Sequence, residues 1–272
     1  MQRFTSFNAL LPKLTFGGSA LFREPGCSAP VTLKVSLSVP GQPSWPLGCG
    51  RGIEATGEAA ISISAGTLAY IDDFLPEDEA LVRARRNAAE VGGAAPVSPL
   101  TGAALRFLAA AIGARSVVEI GTGCGTSGLY LLRGMRAGSV LTTVDVEAEH
   151  QRLARAAFVA AGFPTSRFRL IGGRALEVLP RLADAAYDIV FCDADRQELD
   201  VYLDGALRLL RPGGIVLVNA VLPGSTPTER MPTDAEATAA AQLRERIRTD
   251  ETLVPLLLPI GNGLLAAAKQ GG

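Results

Sequence analysis

The chain has 272 residues, of which 48% are apolar and 19% are charged, and its formal net charge is −1. This length exceeds the ~100–200 residues of an ordinary domain, and the apolar content is sufficient for a substantial core. No apolar run approaches the ~18 residues that a membrane span needs, and the near-neutral charge supplies no basic face for nucleic acid. Because we find no secretory signal, we expect a soluble cytoplasmic protein whose partner is a small molecule.

The first part of the chain is predicted to lie outside the folded domain. Glycine and proline recur through residues 1 to 64, and no apolar periodicity lasts long enough there for a helix or strand. We therefore predict an irregular N-terminal extension over 1–64 and one folded domain over 65–272.

Two helices are predicted before the first strand. One starts near Pro76, where acidic residues precede basic ones, as the helix dipole favours. The second is capped by Ser98, carries apolar residues at helical spacing and ends at Gly113. Both should pack on the sheet that follows.

From Ser116 onward, apolar strands alternate with helical patterns. This alternation predicts a parallel sheet with helices on both faces, and the short Gly261-Asn262-Gly263 connection makes the last two strands antiparallel. The fold class is α/β, a doubly wound seven-stranded sheet, mostly parallel with a C-terminal antiparallel hairpin. The predicted strands are Ser116–Ile120, Val140–Val144, Phe168–Ile171, Tyr187–Cys192, Gly214–Val218, Leu253–Pro259 and Gly263–Ala268, and the helices among them are Ser127–Met135, Ala148–Ala161, Ala175–Ala183, Val201–Leu210 and Asp234–Thr249.

The sequence VVEIGTGCGTSG, from Val117 to Gly128, is a strand followed by a glycine-rich turn and a helix. Such a turn lets a ligand approach main-chain N–H groups at the start of the helix. Gly123, Gly125 and Gly128 also match the dinucleotide fingerprint G-x-G-x-x-G, so a nicotinamide cofactor is one alternative. Asp145 ends the second strand, where a carboxylate can bind ribose hydroxyls in either cofactor class.

Glu119 favours a methyl donor over a nicotinamide cofactor. A carboxylate just before the first glycine could attract a cationic amino-acid head group, whereas it would repel a pyrophosphate. Two later stretches point the same way, DIVFCDAD from Asp188 to Asp195 and LLRPGGIVLV from Leu209 to Val218.

From about Val97 to Lys269 the chain resembles the cation-dependent O-methyltransferases, the family of catechol and caffeoyl-coenzyme A methyltransferases, and especially its bacterial, mycobacterial-type members. The motifs EIGTGCGTSGLYLL, TTVDVEAEH, DIVFCDAD and LLRPGGIVLV stand in the family's order and spacing. The resemblance implies that residues 65–272 form a methyltransferase domain that binds S-adenosylmethionine across the carboxyl ends of the first strands. We also expect a homodimer.

The resemblance assigns a role to each motif. Asp193 and Asp195 match an acidic pair beside the reactive methyl group and the acceptor, so Asp193 is expected to contact the substrate. Asp193 and Arg196 are the catalytic candidates. The residues expected to bind the cofactor are Val97, which packs on it from before the sheet, Glu119, Gly121, Thr122, Gly123 and Ser127 in the turn that holds the methionine part, Asp145 for the ribose, Val146, Gly173, Arg174 and Ala175 for the adenine, and Asp195.

Three positions depart from the family pattern. Metal-dependent members bind a divalent cation with the first Asp of D-A-D and an Asp-Asn pair, and the matching residues here are Asp193, Asn219 and Ala220. The lost carboxylate and oxygen ligand predict no tightly bound metal, and any metal would use Asp193 and Asn219. Arg196 replaces the family lysine and cannot give up a proton near neutral pH, although it could pair with an anionic acceptor.

The sequence thus predicts an S-adenosylmethionine-dependent O-methyltransferase acting on a hydroxyl or carboxylate of a small molecule. One alternative is a catalytically degenerate cofactor-binding protein, which the three departures suggest, and another is an NAD(P)-dependent oxidoreductase, which the glycine pattern suggests. His150, the only histidine, is expected in a solvated position, with a general base as the alternative. Cys192 is expected in the core.

Overall fold

A computed structural model of the chain describes residues 70–71, 74–222 and 233–271, together with two antiparallel two-residue strands, Val35–Ser36 and Glu58–Ala59. The chain divides into two compact units, Met1–Leu68 and Ala69–Gly272. The predicted irregular extension lies almost wholly outside the described residues, so this extension and a domain boundary at residue 65 stay predictions. Within the described ranges, no helix is long and apolar enough to cross a membrane.

The second unit is built on a seven-stranded sheet. Its strands are β1 (Ser116–Ile120), β2 (Val140–Asp145), β3 (Phe168–Gly172), β4 (Tyr187–Cys192), β5 (Leu210–Val218), β6 (Leu253–Leu258) and β7 (Leu264–Lys269). They lie in the order β3-β2-β1-β4-β5-β7-β6, with the first five parallel and β7 antiparallel to both of its neighbours. The predicted doubly wound sheet with an antiparallel C-terminal hairpin is confirmed.

Side-chain caps fix the starts of several helices. The main helices of the second unit are α1 (Glu79–Val91), α2 (Pro99–Ala111), α3 (Thr126–Gly134), α4 (Ala148–Ala160), α5 (Ala175–Val178), α6 (Leu199–Leu209) and α7 (Asp234–Thr249). Asp78 accepts a hydrogen bond from the Leu81 N–H at the start of α1, and Ser98 accepts one from the Thr101 N–H at the start of α2. The cap predicted at Ser98 is confirmed.

Alternate residues of β1 enter two different cores, one on each face of the sheet. Val117 packs in the core beneath α1 to α4, where Phe158 is fully buried. Val118 and Ile120 pack in the other core, beneath α6 and α7, with Leu203. Burial on both faces explains why the parallel strands read as unbroken apolar runs.

Two elements differ from the sequence prediction. The helix predicted over Ala175–Ala183 ends at Val178 and continues only as a 3-10 turn, Leu179–Arg181, because Pro180 has no N–H to extend the helical hydrogen bonds. The fifth strand begins at Leu210 and not at Gly214. Leu210 pairs with Tyr187 ahead of a register shift, so the Pro-Gly-Gly sequence forms an irregularity within the strand.

Candidate functional site

A cavity of about 1120 Å³ opens where β1 and β4 end side by side. The chain continues from β1 to β2 and β3 on one side of the sheet, and from β4 to β5 on the other. The strand order therefore reverses direction between β1 and β4. Such a reversal, a topological switch point, leaves a crevice beyond the carboxyl ends of the strands, which is where ligands bind in doubly wound folds. The candidate site is therefore set by the topology.

Most of the residues predicted from the sequence line this cavity. Glu119 and Asn219 are the exceptions, because Glu119 is fully buried beneath the turn and Asn219 lies behind the acidic residues that follow β4. The predicted residues that line the cavity are Val97, Gly121, Thr122, Gly123, Ser127, Asp145, Val146, Gly173, Arg174, Ala175, Asp193, Asp195 and Arg196.

The glycine-rich turn brings the end of β1 against the end of β4. Gly121 has a φ of 96°, and its N–H donates to the Val144 carbonyl at 2.9 Å. A Cβ atom at position 121 would lie 2.1 Å from the carbonyl oxygen of Asp193, so no other residue fits without moving the backbone. This close approach places the acidic residues after β4 directly beside the turn.

Asp145 holds the same turn from the other side. Its Oδ2 accepts a hydrogen bond from the Gly123 N–H at 2.8 Å, and its Oδ1 accepts one from the Glu147 N–H at 2.9 Å. Each carboxylate oxygen can accept more than one hydrogen bond, and the side chain borders the cavity. Asp145 can therefore hold the protein backbone and a ligand at once.

Glu119 lies at the end of a buried chain of hydroxyl groups. Its Oε2 accepts from the Thr143 hydroxyl at 2.7 Å, and that hydroxyl lies 2.7 Å from the hydroxyl of Thr122. Its Oε1 is buried and has no hydrogen-bond partner among the described residues. Burial raises the pKa of Glu119 to about 8, and the negative charges of Asp193 and Asp145 add to this shift. The carboxyl group of Glu119 therefore keeps its proton to a higher pH than an exposed glutamate, and its role in cofactor binding stays a prediction.

Asp193 is paired with an amide. Asp193 follows β4 and Asn219 follows β5, and the Asn219 Nδ2 donates to the Asp193 Oδ1 at 3.0 Å. The described residues contain no cluster of three or more His, Cys, Asp or Glu side chains placed to hold a metal ion. One carboxylate with an amide N–H directed at it does not fit the all-oxygen coordination of a hard divalent cation.

Glu198, Tyr202 and Arg174 form a second polar cluster in the lining of the cavity, and only Arg174 was predicted from the sequence. Glu198 accepts from the Tyr202 hydroxyl at 2.7 Å and from Arg174 at 2.5 Å. Burial, together with the contact to Glu198, raises the pKa of Tyr202. Glu198 and Tyr202 are four residues apart and share a helix face, but no motif marks that spacing as part of a site.

The segment from Gly92 to Pro96 and the buried position of His150 were not predicted from the sequence. The solvated position expected for His150 is wrong: the side chain is buried, with Nε2 3.2 Å from the Gly92 carbonyl and Nδ1 3.8 Å from Asp145 Oδ2. The end of α1 covers the first turn of α4, which periodicity alone does not reveal. Cys192 lies in the core as expected, and burial raises the pKa of its thiol to about 12.

The glycines of the dinucleotide fingerprint have a packing explanation. A Cβ atom at Gly128, within α3, would lie 2.6 Å from the Phe158 ring of α4. This glycine therefore allows two helices to pack closely, which removes the need for a pyrophosphate at that position.

The sheet order and the crevice at its switch point define the class I methyltransferase fold. The O-methyltransferase family model matches residues 75–270. The chain is 46% identical over 214 residues to the probable O-methyltransferase Rv1220c of Mycobacterium tuberculosis, covering 79% of this chain and 95% of the relative. The chain therefore belongs to the S-adenosylmethionine-dependent O-methyltransferase family.

Solved structures are similar over the same region. The O-methyltransferase TomG from Streptomyces achromogenes, in complex with S-adenosylmethionine, is 29% identical with a TM-score of 0.67, over 75% of this chain and 95% of TomG. An O-methyltransferase from Bacillus cereus, in complex with S-adenosylhomocysteine, is 28% identical with a TM-score of 0.66, over 74% and 96% of the two chains. The family that the motifs predicted is confirmed, and the nicotinamide alternative finds no support.

The buried carboxyl group of Glu119 should make stability depend on pH. Its folded pKa of about 8 lies above the ordinary value of 4.5, so folding retains a proton that the unfolded chain releases between these values. This contribution is fully present below about pH 4.5 and is lost as the pH rises to about 8. In Glu119→Gln the side chain stays neutral, so the variant should become more stable than the wild type across this range, by a few kcal/mol at the upper end.

Denaturant unfolding at a series of pH values measures this difference. Glu90→Gln replaces an exposed carboxylate on α1 and should track the wild type at every pH. If the free energies of unfolding of Glu119→Gln and the wild type change with pH in the same way between pH 4.5 and 8, Glu119 is ionised in the folded protein and the prediction is wrong.

Proposed function

We propose that this chain transfers a methyl group from S-adenosylmethionine to an oxygen atom of a small acceptor, either a hydroxyl or a carboxylate. The observation that carries the proposal is a single cavity that joins the glycine-rich turn and Asp145 to Asp193 and Asp195. The relatives support the choice of cofactor, because TomG is bound to S-adenosylmethionine and the Bacillus cereus enzyme to S-adenosylhomocysteine.

The walls of the cavity provide a place for each part of the cofactor. Val146 is 62% exposed at the end of β2, and together with the Gly173–Ala175 turn it offers an apolar edge for the adenine. Asp145 would accept hydrogen bonds from the ribose hydroxyls. The methionine part would lie along the turn formed by Gly121, Thr122, Gly123 and Ser127, with Val97 opposite. Glu119 would act from beneath this turn, through its buried hydroxyl chain.

The residues beyond β4 would then face the reacting atoms. When bound, S-adenosylmethionine supplies an electrophilic methyl group, and the main task of the protein is to hold an acceptor oxygen in line with it. Asp193 would accept the hydrogen bond of an acceptor hydroxyl and take its proton as the new oxygen–carbon bond forms. A carboxylate acceptor needs no base, and Arg196 could pair with its charge.

Cofactor binding and turnover test the proposal directly. Titration calorimetry should detect binding of S-adenosylhomocysteine and no binding of NADH. A screen of phenols and carboxylic acids with labelled S-adenosylmethionine should then give a methylated product. Binding without turnover of any acceptor would favour the degenerate cofactor-binding protein, and binding of NADH alone would contradict the proposal.

Asp145→Ala should weaken binding of S-adenosylhomocysteine by roughly 1–3 kcal/mol, because the variant removes a buried acceptor and frees the turn that it holds. Asp188→Ala is the matched control. Asp188 also accepts two backbone N–H groups, from Arg115 at 2.7 Å and Ser116 at 2.9 Å, but it does so at the opposite end of β1. The control should lower the melting temperature and leave the affinity unchanged. Equal affinities in the two folded variants would remove Asp145 from the cofactor site.

The amide at position 219 leads us to expect metal-independent activity. EDTA should leave turnover almost unchanged, whereas Asn219→Asp combined with Ala220→Asn should raise the affinity for Mg²⁺ measurably, since both changes add oxygen ligands beside Asp193. The backbone does not oppose the second change, because Ala220 has a φ of 58°, which asparagine tolerates. Turnover that EDTA abolishes and Mg²⁺ restores would show that water and acceptor oxygens complete a metal site.

A further inference from the structure

His150 stands between two walls of the proposed cofactor cavity. It belongs to the first turn of α4 and is 7% exposed. On one side its Nε2 lies 3.2 Å from the carbonyl oxygen of Gly92, and on the other its Nδ1 lies 3.8 Å from Asp145 Oδ2. The ring thus lies between the last residue of β2 and the chain that leaves α1.

The segment from Gly92 to Val97 forms the wall on the α1 side, and all six of its residues line the cavity. Gly92 and Gly93 have φ values of 69° and 70°, two consecutive left-handed residues that turn the chain back over the His150 ring. A Cβ atom at Gly93 would lie 3.8 Å from the ring. One residue further, the Ala94 side chain lies 3.7 Å from the Cβ position of Gly123 in the glycine-rich turn. Ala94 of the wall therefore faces Gly123 of the turn.

The start of α1 is fixed independently of His150. The Tyr130 hydroxyl donates to Glu77 at 2.8 Å, and Arg133 pairs with Asp78 at 2.6 Å, so α3 holds the chain that enters α1. At the far end of α1, the His150 side chain from the first turn of α4 contacts the Gly92 carbonyl. Removing the imidazole should therefore leave the helix in place and release the segment that follows it.

The hydrogen bond to Gly92 sets the state of the ring. A carbonyl oxygen only accepts, so Nε2 carries the proton, and in the neutral ring Nδ1 has a lone pair and no proton. The 3.8 Å from Nδ1 to Asp145 is longer than a hydrogen bond. With Nε2 as the donor, the ring holds Gly92 without occupying the acceptor oxygens of Asp145.

We propose that His150 is a positioning residue for cofactor binding, which holds the Gly92–Val97 wall against the glycine-rich turn through its Nε2–H bond to Gly92. A wall held in place before the cofactor arrives removes an ordering penalty from binding. The inference rests on the proposed function, since the ligand is taken to be S-adenosylmethionine or its product.

Two conservative variants separate this role from simple packing. His150→Gln places an amide N–H donor near the position of Nε2, whereas His150→Asn places its amide near Nδ1 and cannot reach Gly92. The probe is S-adenosylhomocysteine, and its dissociation constant is measured by calorimetry. His150→Asn should raise this constant on the order of 3–10-fold, which is the effect of losing one hydrogen bond. His150→Gln should keep most of the wild-type affinity. Arg155→Gln, at an exposed position of α4 outside the cavity lining, is the control and should match the wild type.

A packing role would not distinguish Asn from Gln, so equal affinities in these two variants would overturn the inference. Gly93→Ala tests the same wall while keeping histidine at position 150, because a side chain at a φ of 70° strains the turn, and it should weaken binding by a similar factor. If the variants at position 150 do not fold, Gly93→Ala tests the inference alone. An unchanged affinity of Gly93→Ala for S-adenosylhomocysteine would also overturn the inference. A wild-type protein that does not bind S-adenosylhomocysteine would instead contradict the proposed function.

Discussion

The contact between Gly121 and Asp193 is the constraint on which the rest of the site depends. Because β1 and β4 are parallel neighbours, the chain leaving β1 must pass the first residue beyond β4, and the missing Cβ of Gly121 is what allows it to pass. The turn then continues to Gly123, whose N–H is fixed by Asp145 from the end of β2. Three strand ends are thereby joined around one crevice, and the acidic residues beyond β4 border the same space as the turn.

This arrangement also explains the state of Glu119. The turn and α3 cover its carboxyl group, so water cannot solvate a charge there, and the two nearby aspartates oppose one as well. A neutral carboxyl group can remain in such a place with one oxygen unpaired, whereas an anion would need more donors than the Thr143 and Ser127 hydroxyls supply. A cation arriving above the turn would favour loss of the proton.

The sequence predicted what depends on local patterns. Unbroken apolar strands predicted the parallel sheet, the short Gly261-to-Gly263 link predicted the antiparallel hairpin, and motif spacing placed most cavity residues. It did not predict what depends on packing between elements distant in the chain. His150 looked solvated because nothing near it in the sequence indicates that the end of α1 covers it. Glu198 was missed because its partner Arg174 lies 24 residues earlier, on another strand connection.

The pairing of Asp193 with Asn219 bears on how an enzyme of this family can work without a strongly bound cation. An amide N–H donated to one Asp193 oxygen helps to orient the carboxylate. The amide offers a weaker positive field than a divalent ion, so it stabilises a developing phenolate less. Acceptors that are already anionic, or that have acidic hydroxyls, suit such a site best. Under the proposed function, an amide at position 219 would therefore favour acidic acceptors, and Asp193 would take the proton of an acceptor hydroxyl.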